Sequence, residues 1–475
     1  MADPRSGQRT LRRRDLVADS SQVSEPSYRA LLEVPALGRI LLGSTIARTA
    51  GGMVGVTLVL FSLQRYGSPA IAGLVTLASI LPALLASPIA GALLDRHGRA
   101  RLIVLDYLVA AGSLVLIAAL AAIDSLPAWL LIVIAAVASL TNIFSHTGLR
   151  SLFPLLVPER LWERVNAVDS NGYIVATLVG PASAGILVQF VGGSTTLALI
   201  GAIFAVAAVT LLRIPDPDVE GASTGRLLVD AWQGMRYVWR NPTLRALGLS
   251  LSVANLAFGT LTLLVPVLLI TRHGSSPVVV GLAFAAQGAA GMISAAIAGR
   301  WDTRGRERGL IARPLALSAA IVALLLLPIG APGIFVVMAL LGLTAGPLDI
   351  AMFTLRQRRT DRAIMGRAFA VSMAFNFFGV PLGSAIGGVL ADTSPEAAVA
   401  FAVVAALAGA ALAARLLPDA DETVGSTGDA AEAAEAEPAA ADAAGADAAE
   451  ARPDRPPARP MSLPAFRSEV RQRDL

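Results

Sequence analysis

The sequence predicts an all-α membrane protein whose twelve transmembrane helices form two six-helix pseudo-repeats. Three observations carry that prediction. First, the 475 residues are 55% hydrophobic and only 15% charged, with a mean hydropathy of +0.66, which lies outside the range of soluble globular domains. Second, crossing a hydrocarbon core of ~30 Å takes ~20 apolar residues, and twelve runs of that order follow one another along the chain. Third, landmarks return at a nearly constant offset: Pro35 and Pro242 are 207 residues apart, as are Asp95 and Asp302, and Arg164 and Arg367 are 203 apart. A duplicated unit repeated in parallel order is the plan of a two-halved transporter.

In chain order, residues 1–36 form an N-terminal tail in which "LRRRDLVADSS" leads into polar residues, an arrangement unlike a cleaved signal peptide. The first half, 37–213, holds spans at about 40–64, 69–94, 102–123, 127–149, 166–190 and 194–213, punctuated by Gly and Pro in "LQRYGSPA" and "VGGST". Residues 214–243 are a linker, polar at first and then amphipathic around Trp232, Tyr237 and Trp239, as expected of a segment lying at the membrane surface. The second half, 244–415, holds spans at about 245–270, 276–299, 310–329, 332–355, 366–391 and 396–415. The tail, 416–475, is Ala-rich and of low complexity, a composition that predicts disorder. Loops on the side of the two termini carry 21 Arg, against Arg65 and Arg272 alone on the other side. That asymmetry places both termini in the cytoplasm and the chain, as a multi-pass protein, in the cell inner (plasma) membrane.

Composition also excludes. All 38 basic residues are Arg, Cys is absent and His occurs three times, so disulfides and thiolate metal sites are ruled out, a His-rich metal site is disfavoured, and no cofactor is expected. Without Lys there is no phosphate loop of the form G-x-x-x-x-G-K-[ST]. The net charge of +4 sits in the loops that set topology and is no nucleic-acid footprint. No nucleophile with a base or paired carboxylate points to an enzyme, and no filter-forming repeat points to a channel.

Two stretches stand out. "GALLDRHGRAR" places Asp95 and three Arg between the second and third spans. Gly91 permits close helix approach, Asp95 can accept charge-assisted bonds from Arg or from a helix N-terminus, and Gly98 turns the chain. In the second half Asp302, Gly305 and Arg306 stand opposite Asp95, Gly98 and Arg99. Such a cluster between halves can act as a latch on one arrangement of the bundle, and it also anchors topology. "ATLVGPASAG" on the fifth span supplies small residues for close packing and a bend at Pro181, echoed by "PLGSAIGG" from Pro381.

On these residues the chain resembles the major facilitator superfamily over roughly residues 30–415. The first stretch resembles that family's loop between helices 2 and 3, G-x-x-x-D-R-x-G-R-[RK]-[RK], matched at Gly91, Asp95, Arg96, Gly98, Arg99 and Arg101 and departing at Ala100. The second resembles its antiporter signature, G-x-x-x-G-P-x-x-G-G, matched at Gly180, Pro181 and Gly185, with Ala176 and Ala184 in place of two glycines. "SLFPLLVPERLWERVNAVDSNG" and "TLRQRRTDRAIMGRAFA" are most similar to the branch of siderophore and macrolide exporters. The resemblance implies a latch holding the outward-facing state, proton-driven export, and a substrate path lined by spans 1, 4, 7 and 10.

Polar residues inside spans are functional candidates because they are costly there. Arg48 lies ~12 Å into the first span and Asp349 ~10 Å into the tenth from the same side, so the two can share one cavity. Asn142 and His146 on span 4 and Asn255 on span 7 complete the set, with Gln287 and Asn376 behind them. Asp106 and Asp169, close to the loops, are expected to form local ion pairs with loop Arg. Exporters of this family often carry an Arg in mid-span 4, and here none precedes Arg150. Asp349, with His146, is therefore assigned the proton relay, the alternative being a permanent structural pair with Arg48. The expectation is a monomeric secondary transporter that exports a small amphipathic organic molecule of drug, macrolide or siderophore type by proton antiport. An importer of the same fold is the alternative, with a channel or membrane-embedded enzyme further behind.

Overall fold

The computed structural model describes residues 28–158, 161–212, 214, 227–361 and 365–418. Proline and small polar residues decide where the helices start. Pro69, Pro242, Pro277 and Pro395 occupy first turns, where a missing N–H removes no helical bond. Ser68, Asn241 and Ser394 precede three of them and cap by accepting from the backbone N–H of Ile71, Leu244 and Ala397.

The helices are α1 (Tyr28–Glu33), α2 (Leu37–Tyr66), α3 (Pro69–His97), α4 (Arg99–Ala122), α5 (Ala128–Leu156), α6 (Trp162–Val191), α7 (Gly193–Leu211), α8 (Leu227–Arg240), α9 (Pro242–Val267), α10 (Pro277–Ala298), α11 (Glu307–Ala323), α12 (Gly330–Arg358), α13 (Met365–Phe377), α14 (Gly379–Thr393) and α15 (Pro395–Leu416). Among the described residues twelve spans are long and apolar enough to cross a membrane: α2–α7 and α9–α15, with α13 and α14 making up the eleventh. Among the described residues there is no strand. α8 lies in the linker, and α1 is a short helix within the stretch expected to be tail. The remainder of that tail and the low-complexity segment from 419 onward lie outside the described residues.

Several helices begin before their apolar run does. α4 starts at Arg99 and α6 at Trp162, because hydrogen-bonded backbone continues into the polar edge of the bilayer. The eleventh span breaks at Phe378, three residues before Pro381, whose ring nitrogen has no proton for the carbonyl four residues back.

Each half has its own apolar core, the first around Leu37, Ile103, Leu131, Ile200 and Ala207, the second around Leu264, Val280, Val322 and Ala402. The halves meet along α3 against α14 and α6 against α10. Gly185 lies against the backbone of Pro277 and Gly281, Gly281 against Pro181, Gly73 against Ser384 and Gly388, and Gly388 against Pro69. A Cβ at Gly185 would stand 2.5 Å from the Pro277 carbonyl, so only glycine permits this approach. Val59, Leu63 and Ala72 of the first half pack with Leu263 and Val267 of the second, and Ser68 donates to Asp392 at 3.3 Å. All these contacts lie toward the ends of the spans opposite the termini, where the bundle is closed by small residues and an apolar plug.

Candidate transport site

A charged group in mid-span costs ~2.5–3.5 kcal/mol unless it finds a partner or water. In the first half three spans carry such groups and a fourth adds a hydroxyl. Arg48, ~16 Å from the start of α2, pairs with Asp169 of α6 at 2.7 Å, the side chains only 10% and 4% exposed. Its Nη1 also donates to the Asp169 main-chain carbonyl at 3.1 Å, and its guanidinium lies 4.0 Å from the centroid of the Tyr173 ring. Gly172 makes room, since a Cβ there would stand 3.3 Å from Nη1. Buried Asp106 of α4 accepts from Thr141 Oγ1 of α5 at 2.9 Å. Tyr107 next to it lies within electrostatic reach of Arg48, Asp169 and Tyr173.

This cluster corrects two expectations. The alternative of a permanent pair between Arg48 and Asp349 does not hold, because Arg48 pairs with Asp169 inside the first half. Where local ion pairs with loop Arg were expected, the structure gives Asp169 the intramembrane Arg48 and Asp106 the hydroxyl of Thr141 among the described residues. The reason is depth. With α4 starting at Arg99 and α6 at Trp162, each carboxylate sits ~10 Å inside its helix. Tyr173 was missed altogether, although its place four residues after Asp169 puts it on the same helix face.

The second half uses amides where the first uses charges. Asn255, 207 residues after Arg48, donates from Nδ2 to the Asn376 carbonyl at 2.9 Å, and in both pairs the accepting carbonyl is 121 residues beyond the donor. Asn255 thus ties α9 to α13 just before the break in the eleventh span. Arg356, counted with the loops in the sequence, is fully buried. It donates to Ser372 Oγ at 3.0 Å and lies 5.4 Å from the centroid of the Phe369 ring.

Asn142 of α5 and Asp349 of α12 are also 207 apart, and both are accessible. Asn142 continues a stripe that includes Leu131 and Ala135; Asp349 continues one that includes Met338 and Gly342, at the same spacings of eleven and seven residues. At about 100° per residue these positions share one helix face. The earlier members are buried. The exposed apolar side chains Val133, Val137 and Leu140 of α5, and Val336 and Leu343 of α12, point elsewhere, toward lipid. One face therefore passes from sealed packing to accessible surface on going toward the terminus side. Asp349 is crowded by the surrounding helices yet accessible, and it has no hydrogen-bond or ion-pair partner among the described residues. Two residues before it, Pro347 deprives the Leu343 carbonyl of its helical donor, and Ser294 of α10 donates to that carbonyl instead. Gln287 of α10 contributes main chain, its carbonyl lying against Gly342.

Of the loop motif, the side chains of Gly91, Asp95 and Arg96 lie outside the described residues, as does that of His146. Gly98 has φ 90° and Gly305 φ 71°, so both matching loops turn at a conformation that favours glycine. Asp302 is exposed and accepts from the Arg304 N–H at 3.1 Å, shaping its own turn, and Arg306 is exposed next to it. In the antiporter-like motif, Gly180 packs on the main chain of Gly52 in α2, while Pro181 and Gly185 face α10 across the seam. A separate cavity of about 440 Å³ opens at the face away from the termini, lined by Phe61, Arg65, Asp124 and Ser194 among others. Its charges are already paired, Arg65 with Asp124 at 2.7 Å, and it holds none of the intramembrane groups.

The family model described as Major Facilitator Superfamily matches residues 40–363 and again 247–471. An MFS-type transporter of Sinorhizobium fredii, y4rN, is 36% identical over 403 residues, 83% of this chain and 98% of its own length. The multidrug efflux pump Tap of Mycolicibacterium fortuitum is 28% identical, covering 75% of this chain and 90% of its own. Macrolide efflux protein A of Streptococcus pyogenes is 22% identical, covering 74% and 88%. Among solved structures, the nucleoside transporter NupG superposes with TM-score 0.62 at 13% identity, over 79% of this chain and 98% of its own. A bacterial homologue of the human lysosomal transporter Spinster, inward-facing and unoccupied, does so with TM-score 0.62 at 16% identity, over 81% and 98%.

Proposed function

The chain belongs to the major facilitator superfamily and is a multi-pass membrane transporter, and from that premise we propose that it exports a small amphipathic organic molecule across the plasma membrane by proton antiport. The observation that carries the reading is Asp349: an accessible carboxylate with no hydrogen-bond or ion-pair partner among the described residues, inside a span, on the face where sealed packing gives way to accessible surface. An intramembrane ionisable group in that position is a transport-path residue by default. The similarity to efflux pumps supports export, and the antiporter-like stretch, with Gly180 packed on Gly52 and with Pro181 and Gly185 in the seam against α10, supports antiport. The Arg asymmetry of the loops supports cytoplasmic termini, and in this reading the arrangement described above is closed outward and open inward.

In this reading Asp349 takes up a proton when the cavity faces outward and releases it when the cavity faces inward. Alternating access exchanges the glycine seam on the outer side for a closure on the inner side, where the loop carrying Asp95 acts as the latch of the outward-facing state. The test is substrate uptake into inverted vesicles under an imposed pH gradient. Asp349→Asn should lose gradient-driven transport, because an amide cannot titrate, while exchange at equal pH and saturating substrate persists. Full gradient-driven transport in Asp349→Asn refutes the proton assignment, and the absence of any pH dependence in the parent protein refutes antiport.

A further inference from the structure

We propose that the outer face of the linker helix α8 is a docking surface for anionic phospholipid in the leaflet on the terminus side. At about 100° per residue this helix divides into two faces. Gly234 and Val238 are buried and Tyr237 is half-buried, so these positions face the bundle. On the other side Trp232, Met235 and Trp239 fall within about 60° of one another and are 68%, 42% and 54% exposed. Arg236 and Arg240 stand next to that apolar stripe, within about 80° of Trp232, and both are exposed. Arg245, exposed in the first turn of α9, donates to the Trp239 carbonyl at 3.2 Å and adds a third cation at the same end of α8. The surface is independent of what the chain transports and in which direction.

Two indoles left open beside two guanidinium groups fit a partner that is apolar on one side and charged on the other. A bilayer edge is such a partner: Trp rings favour the headgroup level, a helix with Trp on one flank and Arg on the next lies in that plane, and Arg binds phosphate through paired N–H donors. The charges around α8 select an anionic headgroup. α9 and α13, both packed against α8, contain no acidic residue. α3, packed there too, has Asp95 directly followed by Arg96. On α8 itself Asp230 stands in the first turn, at a position about 160° around the helix from Trp232. Asp361 approaches through its main-chain N–H, which donates to Tyr237 Oη at 3.1 Å, about 140° around from Trp232. Lipid on this face also bears on the bundle. Val238 packs with Leu244, Ala368 and Val371, the Trp239 ring centroid lies 6.2 Å from that of Phe375, and α8 touches α3 of the first half as well as α13 of the second. The docked lipid therefore sits where α8 bridges the two halves on the terminus side.

The test is quenching of Trp fluorescence by dibrominated acyl chains, with the full chain in nanodiscs of phosphatidylcholine and phosphatidylglycerol at one fixed ratio. The bromines are carried by one lipid in one sample and by the other in the next, so the bilayer composition never changes. Subtracting the signal of Trp232→Phe/Trp239→Phe isolates α8 from Trp129, Trp162 and Trp301. In the parent, phosphatidylglycerol should be enriched around α8 at least about fivefold over its share of the bilayer, the effect of one Arg at a charged membrane surface. Arg236→Gln/Arg240→Gln should lose most of that enrichment, while Arg304→Gln/Arg306→Gln, in another loop on the same side, should keep it. All the replaced side chains are exposed, so the variants alter the surface and leave the core packing alone. Quenching by the two lipids in proportion to their bulk shares in the parent, or an equal loss of enrichment in both Arg variants, overturns the proposal. So does the absence of quenching by either lipid while aqueous iodide reaches both indoles, a result that would give the face to a protein partner.

Discussion

Breaking the Arg48–Asp169 pair should cost far more than deleting it whole. The partners are 10% and 4% exposed and 2.7 Å apart, so removing either leaves its mate as an uncompensated charge, a loss of ~3–5 kcal/mol for buried pairs. In Asp169→Asn, Arg48 retains a carbonyl acceptor and the Tyr173 ring, a residual interaction of ~1 kcal/mol. The single change should therefore cost about 3 kcal/mol, near the lower end. Arg48→Met leaves Asp169 the bare charge and should cost a similar amount. The double variant Arg48→Met/Asp169→Leu carries no charge to desolvate and should fall within about 1 kcal/mol of the parent, giving a coupling energy of at least ~3 kcal/mol. The assay is reversible unfolding in mixed micelles titrated with SDS. Additive single and double changes would show that the two side chains do not depend on each other. The double variant also bears on transport. If Asp349 carries the proton, the pH profile of gradient-driven transport should stay where it is in the parent, because the neutralised pair contributes no net charge to the cavity. A displaced profile would move the proton site to the first-half cluster.

Ser294→Ala should destabilise the protein by about 1 kcal/mol by orphaning the Leu343 carbonyl, and adding Pro347→Ala should restore it, because an N–H returns at position 347; no recovery in the same unfolding assay would refute that account. Gly185→Leu should wedge α6 from α10 and increase labelling of single Cys residues placed in the outer half of the cavity, against a parent background free of Cys; unchanged labelling would refute the seam. A short thiol cross-link between Ser68→Cys and Asp392→Cys, whose parent side chains are in hydrogen-bond contact, should stop transport until it is cleaved. Asp95→Asn should lower transport at normal membrane insertion, and unchanged transport would reduce that stretch to a topology anchor. A reporter fused after residue 420 should be active only in the cytoplasm.

The spans and the duplication were legible because they rest on strong, redundant signals: apolar runs of membrane length, and landmarks recurring at 207 residues. The intramembrane positions Arg48, Asn142, Asn255 and Asp349 stood out for the same reason, since polar residues are conspicuous against Ala, Val, Leu and Ile. Their partners were not legible. Asp169 lies only three residues into its apolar segment by hydropathy, and its depth appears only once the helix is seen to start at Trp162. Arg356 looked like one more loop Arg because four other Arg residues follow it within eleven positions. Only the packing of α12 on α13 shows that it is buried. Periodicity locates a residue along its own helix, and which neighbour it meets depends on helix crossing, which one sequence does not encode in any local pattern.

The duplication also explains why the transport-path candidates differ between halves. Matching positions were free to diverge once the scaffold was doubled, and at two pairs they did so in opposite senses. Position 48 is Arg where 255 is Asn, and position 142 is Asn where 349 is Asp. The seam did not diverge in this way: Gly73 and Gly388 on one side, and Gly185 and Gly281 on the other, meet backbone to backbone, since both contacts must close and part together for access to alternate. Charge asymmetry within a symmetric hinge has a functional consequence. The first half pairs Arg48 with Asp169 and buries Asp106 against the Thr141 hydroxyl, while the second half buries Arg356 and leaves the Asp349 carboxylate accessible. Exchanging the polar residues of the second pair, as Asn142→Asp/Asp349→Asn, should therefore move the negative charge across the cavity without changing its count. Gradient-driven transport should survive that exchange to the extent that one accessible carboxylate on this helix face is enough. Its complete loss would tie the proton site to position 349 itself, one turn before Phe353 and its stacking partner Phe369, and not to the charge alone.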